Sequence, residues 1–195
     1  DLSGYDPNVE AIASHDPDLV VISGAPEDLA PALEALDIEV IDQPAPATVA
    51  AALEEITDLG IATGHEGEAA ELVAGMEADL GELAASVPER AEPLTYYHEL
   101  DETLYSVTSS TFIGQLYALA GLENIADAAD PDGQFGGYPQ LSPELIVAAD
   151  PDLIFLADAE CCGQDAQTLA ARPGFGSLAA VQAGRVIELD EDIAS

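Results

Sequence analysis

The chain contains no lysine and no tryptophan, and its only arginines are Arg90, Arg172 and Arg185. Against these stand 39 acidic residues, for a formal net charge of −36. A surface this acidic repels phosphate backbones and anionic headgroups, which excludes nucleic acid and anionic membranes as direct partners. Aromatic residues make up only 5% of the chain. Cysteine occurs only as the neighbours Cys161 and Cys162, a spacing that fits no zinc pattern such as a CxxC pair. No apolar run approaches the roughly 18 residues needed to cross a bilayer. The opening residues, Asp1 through Pro7, are polar and turn-forming and show no secretory signal pattern.

What the chain does have is apolar residues in periodic blocks, 48% of a total of 195. Such blocks argue against disorder, and the length suits one large domain or two small lobes with a real core. The acidity reads as adaptation to salty surroundings, where screening removes most of the self-repulsion. A plain acidic, solvated surface would give the same composition.

Two segments repeat each other. Residues 8–23 and 142–157 both read E-x-I-x-x-x-D-P-D-L followed by a short apolar run. Glu10 and Glu144 stand near the start of a short helix, where the macrodipole favours an anion. The Asp-Pro step then stops the helix, because a residue before proline avoids the right-handed helical region. Leucine and β-branched residues follow as a buried strand of parallel-sheet type. Two copies predict two similar α/β lobes.

The remaining pattern agrees. Helices are predicted over 27–36 and 48–62 with a strand over 38–42 between them. From 65 to 86 the apolar positions Ala69, Leu72, Val73, Met76, Leu80 and Leu83 keep helical spacing. One helix of that length, roughly 33 Å at 1.5 Å per residue, would act as a stiff spine between lobes. A strand over 94–98, a helix over 110–120 ending at Gly121, and a late strand over 186–189 follow. The expected organisation is part of an N-terminal α/β lobe (1–64), a long interlobe helix (65–90) and a C-terminal α/β lobe (91–195).

With the paired DPDL units in place, the chain resembles the substrate-binding proteins of iron-chelate and vitamin B12 ABC importers. The likeness is also carried by Gly121-Leu122-Glu123-Asn124-Ile125, similar to a family helix exit, and by Tyr138-Pro139-Gln140-Leu141-Ser142, similar to the segment before the second unit in cobalamin binders. Ala180-Val181-Gln182-Ala183-Gly184-Arg185-Val186 resembles the family's lead into a closing strand. The resemblance implies a bilobed fold whose N-terminal lobe is incomplete in this chain, and an extracytoplasmic or lipid-anchored location. It implies a small-molecule metal chelate as ligand and ABC permease subunits as partners. It also implies that Glu10 and Glu144 meet permease arginines. No resident cofactor, metal site or catalytic residue is expected.

In open α/β sheets, ligands sit beyond the carboxyl ends of the strands. That rule nominates Ser23 and Gly24 after the first repeat strand, and Tyr96, Tyr97 and His98 at the end of the 94–98 strand. Tyr105, Phe112 and Tyr138 add flat faces with polar tips, suited to a large apolar chelate. The same aromatics could equally be core, and strand alternation would leave about half of them facing away from ligand. Tyr138 falls where the resemblance places an aromatic contact. Ser109 and Ser110 could present free amides to an oxygen-rich ligand, or act simply as N-caps. His98 could ligate a metal, although a lone histidine more often only hydrogen-bonds.

Two other classes stay open. A chelatase-like enzyme would use His98 and Glu99 on metal and proton, and a surface sensor would use the same fold without transport. No nucleophile–base pair or metal cluster appears at diagnostic spacing. None of the three arginines is expected at a strand end facing the cleft. A neutral or cationic chelate, a corrinoid or a ferric hydroxamate siderophore, is therefore expected over catecholates, citrate and haem. Cys161 and Cys162 are expected to bridge each other, with two free thiols or a partner elsewhere as the alternatives.

Overall fold

The computed structural model describes residues 7–190. The first repeat unit forms α1 (Val9–Ala13), capped by Asn8, and β1 (Leu19–Ile22). Then come α2 (Leu29–Glu34), β2 (Glu39–Asp42) and α3 (Val49–Thr63). The strands β1 and β2 pair in parallel, Leu19 opposite Glu39. Leu29, Leu33 and Ile38 form a small core against Val9, Ile12, Val20, Ile22 and Val40.

The segment read as one helix is α4 (Glu66–Ser86). It follows α3 through Gly64 and His65, and the two helices pack closely because Gly60 of α3 has no Cβ to collide with Ala69. Ala69 is the buried residue of α4, whereas Leu72, Met76 and Leu83 of its apolar stripe are exposed. The stripe therefore does not sink into a core along its length.

The second lobe is built on a parallel four-stranded sheet. Its strands are β3 (Leu94–Glu99), β4 (Leu122–Asn124), β5 (Leu153–Leu156) and β6 (Val186–Glu188), in the order β4-β3-β5-β6. Parallel neighbours require crossovers, which are supplied by α5 (Phe112–Leu119), α6 (Pro143–Ala149), α7 (Ala159–Cys162), α8 (Ala166–Ala171) and α9 (Ala179–Gln182). The residues 121–125, similar to a helix exit in sequence, are β4 and the start of a 3-10 turn.

β3 has two distinct faces. Tyr97 joins Ile146, Ile154, Leu156, Leu169 and Phe175 in the main core. Tyr96 and His98 turn to the other face, where they meet Tyr117 of α5 and, for Tyr96, Phe155. No helix among the described residues is long and apolar enough to cross a membrane.

Candidate functional site

The strands of the second sheet are parallel, so their carboxyl ends and the loops beyond them gather on one edge. After β3 the chain turns back through Leu104, whose φ of +70° lies in the left-handed region. A non-glycine residue there costs about 1–3 kcal/mol and persists only when its surroundings hold it. They do: the Leu104 amide donates to the Asp101 carbonyl, its carbonyl accepts from Leu141, and its side chain packs on the core. The Leu100 amide donates to the Tyr105 carbonyl at 2.9 Å. The backbone of Tyr105 is thereby tethered to the residue that follows β3.

A second loop is zipped to the first. Ser106 donates to the Pro139 carbonyl at 3.0 Å and Thr108 to the Gly137 carbonyl at 2.8 Å, with an antiparallel bridge between Tyr105 and Gln140. The carboxylate of Asp130 accepts the amides of Phe135 and Gly137 at 3.1 and 3.0 Å, which shapes the turn. Gly137 sits at φ +87° against Thr111, Ser110 and Thr108, so a side chain there would push the two loops apart. The outcome is three exposed aromatic rings on one pair of joined loops: Tyr105 (42% exposed), Phe135 (54%) and Tyr138 (46%). Phe135 had no signal in the sequence beyond its glycine-rich surroundings.

At the end of β3 lies an ion pair whose carboxylate is fully buried. Arg172 forks Glu99 at the end of β3, with Nη1–Oε2 and Nη2–Oε1 both 2.7 Å, and its Nη2 also donates to Gln164 at 2.8 Å. Tyr97 donates its hydroxyl to Glu99 as well. This ion pair raises the Arg172 pKa still further, and burial beside Glu99 raises that of Tyr97. Asp158, two residues beyond the end of β5, is 1% exposed, and neither of its oxygens has a hydrogen-bond partner among the described residues. Burial first, then the charge of Glu99, lifts its pKa to about 6.

Several expectations change. Tyr96, Tyr97 and His98 are 1%, 0% and 1% exposed, so they are interior residues and not a cleft wall. The physical reason is that a central strand is covered on both faces. His98 holds Tyr117 by a 2.9 Å hydrogen bond, and burial lowers its pKa to about 4, so it is neutral near pH 7. Phe112 faces α3 and α4, beside Val49, Leu53, Met76 and Leu80. The Ser109 amide and hydroxyl are both taken by Asp127, at 2.8 and 2.6 Å, so that amide is not free for a ligand. The Ser110 hydroxyl pairs with Thr108 at 2.8 Å. Arg172 does reach a strand end, but its charge is spent on Glu99.

The other nominated residues lie at the surface. Ser23 and Gly24 are exposed just beyond β1, and Glu10 and Glu144 are exposed in the first turns of α1 and α6. Cys161 and Cys162 are bonded to each other on α7. No group of three potential metal-ligating side chains occurs among the described residues. His98 and Glu99 lie on opposite faces of the sheet. A groove of about 570 Å³ lies elsewhere, between α3, α4 and α5, away from the strand ends.

Comparison with known proteins fits this architecture. The chain is 34% identical over 159 residues to a cobalamin-binding protein of Halobacterium salinarum, covering 78% of this chain and 42% of that protein. It is 27% identical over 194 residues to an uncharacterized ABC transporter substrate-binding lipoprotein of Bacillus subtilis, covering 95% of this chain and 59% of the other. The chain thus spans less than half the length of the halobacterial relative. A solved structure described as a possible iron-binding periplasmic solute-binding protein of Staphylococcus epidermidis superposes with a TM-score of 0.79 at 20% identity, over 98% of this chain and 74% of that one. Residues 2–193 match the sequence pattern of a single family, and on that match the chain belongs to the periplasmic binding proteins.

Proposed function

We propose that this chain is part of the extracytoplasmic solute-binding protein of an ABC importer, and that it holds a neutral or cationic metal-bearing chelate, a corrinoid or a ferric hydroxamate siderophore. The observation that carries this is the exposed trio Tyr105, Phe135 and Tyr138 on joined loops that follow β3, at whose end the guanidinium of Arg172 is already neutralised by Glu99. Flat apolar faces without a free cation favour a large, weakly charged ligand over an anionic one. The halobacterial relative's name supports the corrinoid. Ser23 and Gly24 of the first lobe complete the proposed cleft. In this reading the lobes are 1–64 and 91–195, joined by the helical segment 65–90. Glu10 and Glu144, one exposed carboxylate per lobe, are the proposed contacts to the permease.

Calorimetric titration tests the ligand. Cyanocobalamin or a ferric hydroxamate should bind, and Phe135→Ala or Tyr138→Ala should each weaken that binding roughly 10- to 100-fold, the worth of one buried aromatic face. Because both rings are exposed in the free protein, the urea midpoint should not move. Tight binding of a ferric catecholate or haem, with none of cobalamin or hydroxamate, would overturn the proposal.

A further inference from the structure

The bond between Cys161 and Cys162 joins adjacent residues, so it closes no loop of chain. A disulfide stabilises a fold mainly by removing loop entropy from the unfolded chain. This one removes almost none, and a structural staple is not its use. Both cysteines are exposed, which makes either sulfur accessible to an attacking thiolate.

Its position gives the bond another use. It lies within α7, a single turn held by three backbone hydrogen bonds: Cys162 and Gln164 to the Asp158 carbonyl at 3.3 and 3.4 Å, and Gly163 to Ala159 at 2.9 Å. One end of this turn is Asp158, two residues beyond the end of β5. The other end is Gln164, gripped by the same Arg172 that forks Glu99 at the end of β3. The segment 158–164 therefore bridges the two strand ends, on the sheet edge from which the Tyr105 loop also leaves, with the disulfide in its middle.

We propose that Cys161–Cys162 is a thiol-exchange site whose opening by an external dithiol loosens the 158–164 turn and lowers ligand affinity. A thiolate of the dithiol attacks one of the two sulfurs, the Cys161–Cys162 bond breaks, and the displaced sulfur takes up a proton. The second thiol of the reductant then attacks the mixed disulfide and leaves as a cyclic disulfide, so two electrons and two protons pass to the protein. The oxidised turn is pre-organised for binding and the dithiol turn is not. The effect on affinity rests on the ligand reading above, while the effect on the turn does not.

The test compares oxidised protein, protein treated with dithiothreitol, and the Cys161→Ser/Cys162→Ser double variant. In the treated sample, alkylation should find two thiols while the far-ultraviolet circular dichroism is unchanged. Hydrogen exchange over 158–164 should quicken about tenfold, with the β3 and β5 amides unaffected. The double variant should match the reduced protein and ignore dithiothreitol. The Kd for cyanocobalamin, used as probe, should rise about three- to tenfold on reduction. Thiols that appear only when the protein unfolds, or equal exchange over 158–164 in both redox states, would overturn the switch. Equal cobalamin affinity in both states would overturn its control of binding. If the oxidised protein binds no cobalamin, the corrinoid reading fails, and the exchange data alone decide whether the turn responds to redox.

Discussion

Asp158 and His98 sit near the ends of neighbouring strands, and burial moves their proton affinities in opposite directions. For Asp158 the folded pKa, about 6, lies above the ordinary 3.8. The folded state therefore holds more protons between these values, and stability falls as pH rises through them. For His98 the folded pKa, about 4, lies below the ordinary 6.5, so over that window its contribution grows as pH rises. The two act in opposite senses over overlapping windows, so the wild-type pH profile alone does not resolve either. Asp158→Asn should separate them: the variant should be more stable than wild type at pH 7, and the gap should shrink toward pH 4, read from urea midpoints. At this scale the sequence was ambiguous. Tyr96, Tyr97 and His98 look like a binding wall because they are aromatic and end a strand, yet neighbours on both faces of β3 bury them. Tyr105 and Tyr138 look no different in sequence, and only the loop pairing leaves them exposed.

The helix α5 shows how an element is placed by few atoms. Thr111 caps it by accepting the Gly114 amide at 3.0 Å, and its own hydroxyl donates to the Thr108 carbonyl at 2.8 Å. A Cβ on Gly114 would fall on that same Thr108 carbonyl and on the Cα of Ser109. Gly114→Ala should therefore destabilise the protein by about 1–3 kcal/mol, although alanine is the better helix former, because the backbone must move. Thr111→Ala should cost about 1 kcal/mol through the lost cap. Thermal or urea unfolding of both variants checks the pair. The repeat units were legible at this scale, since a capped helix, an Asp-Pro stop and an apolar strand are all local signals. Asp16 and Asp150 match even in detail, both at left-handed φ near +50°, a region aspartate tolerates better than most residues. The short elements β4, α7, α8 and α9 were not legible, because three to six residues carry too little periodicity to read.

Across the whole molecule, charge is the dominant fact. A formal charge of −36 on 195 residues repels itself, and screening relieves that repulsion. Raising salt from about 0.1 M to about 1 M shortens the Debye length from about 10 Å to about 3 Å, so the Tm should climb over this range. A neutral osmolyte at matched osmolality should not reproduce the full rise. In the proposed role, transport depends on both lobes at once. Reversing Glu10 and Glu144 together to lysine should abolish uptake in a reconstituted importer while leaving the ligand Kd unchanged, because each is exposed and neither lies among the site's aromatics. Equal loss of affinity would show that the carboxylates serve binding.

The α/β class, the two repeat units and the long helix were determined by sequence alone. Each depends on local hydrophobic period or backbone stops, neither of which needs a partner distant in the chain. Which aromatics form a wall and which form a core depended on tertiary structure, because burial is set by neighbours dozens of residues away. The fate of Arg172 shows the same limit. Its sequence surroundings, Ala171-Arg172-Pro173, mark a turn, and nothing local says that it reaches 73 residues back to neutralise Glu99. That one contact decides whether the strand end offers a cation to a ligand, and only the packing of α8 against the sheet could create it.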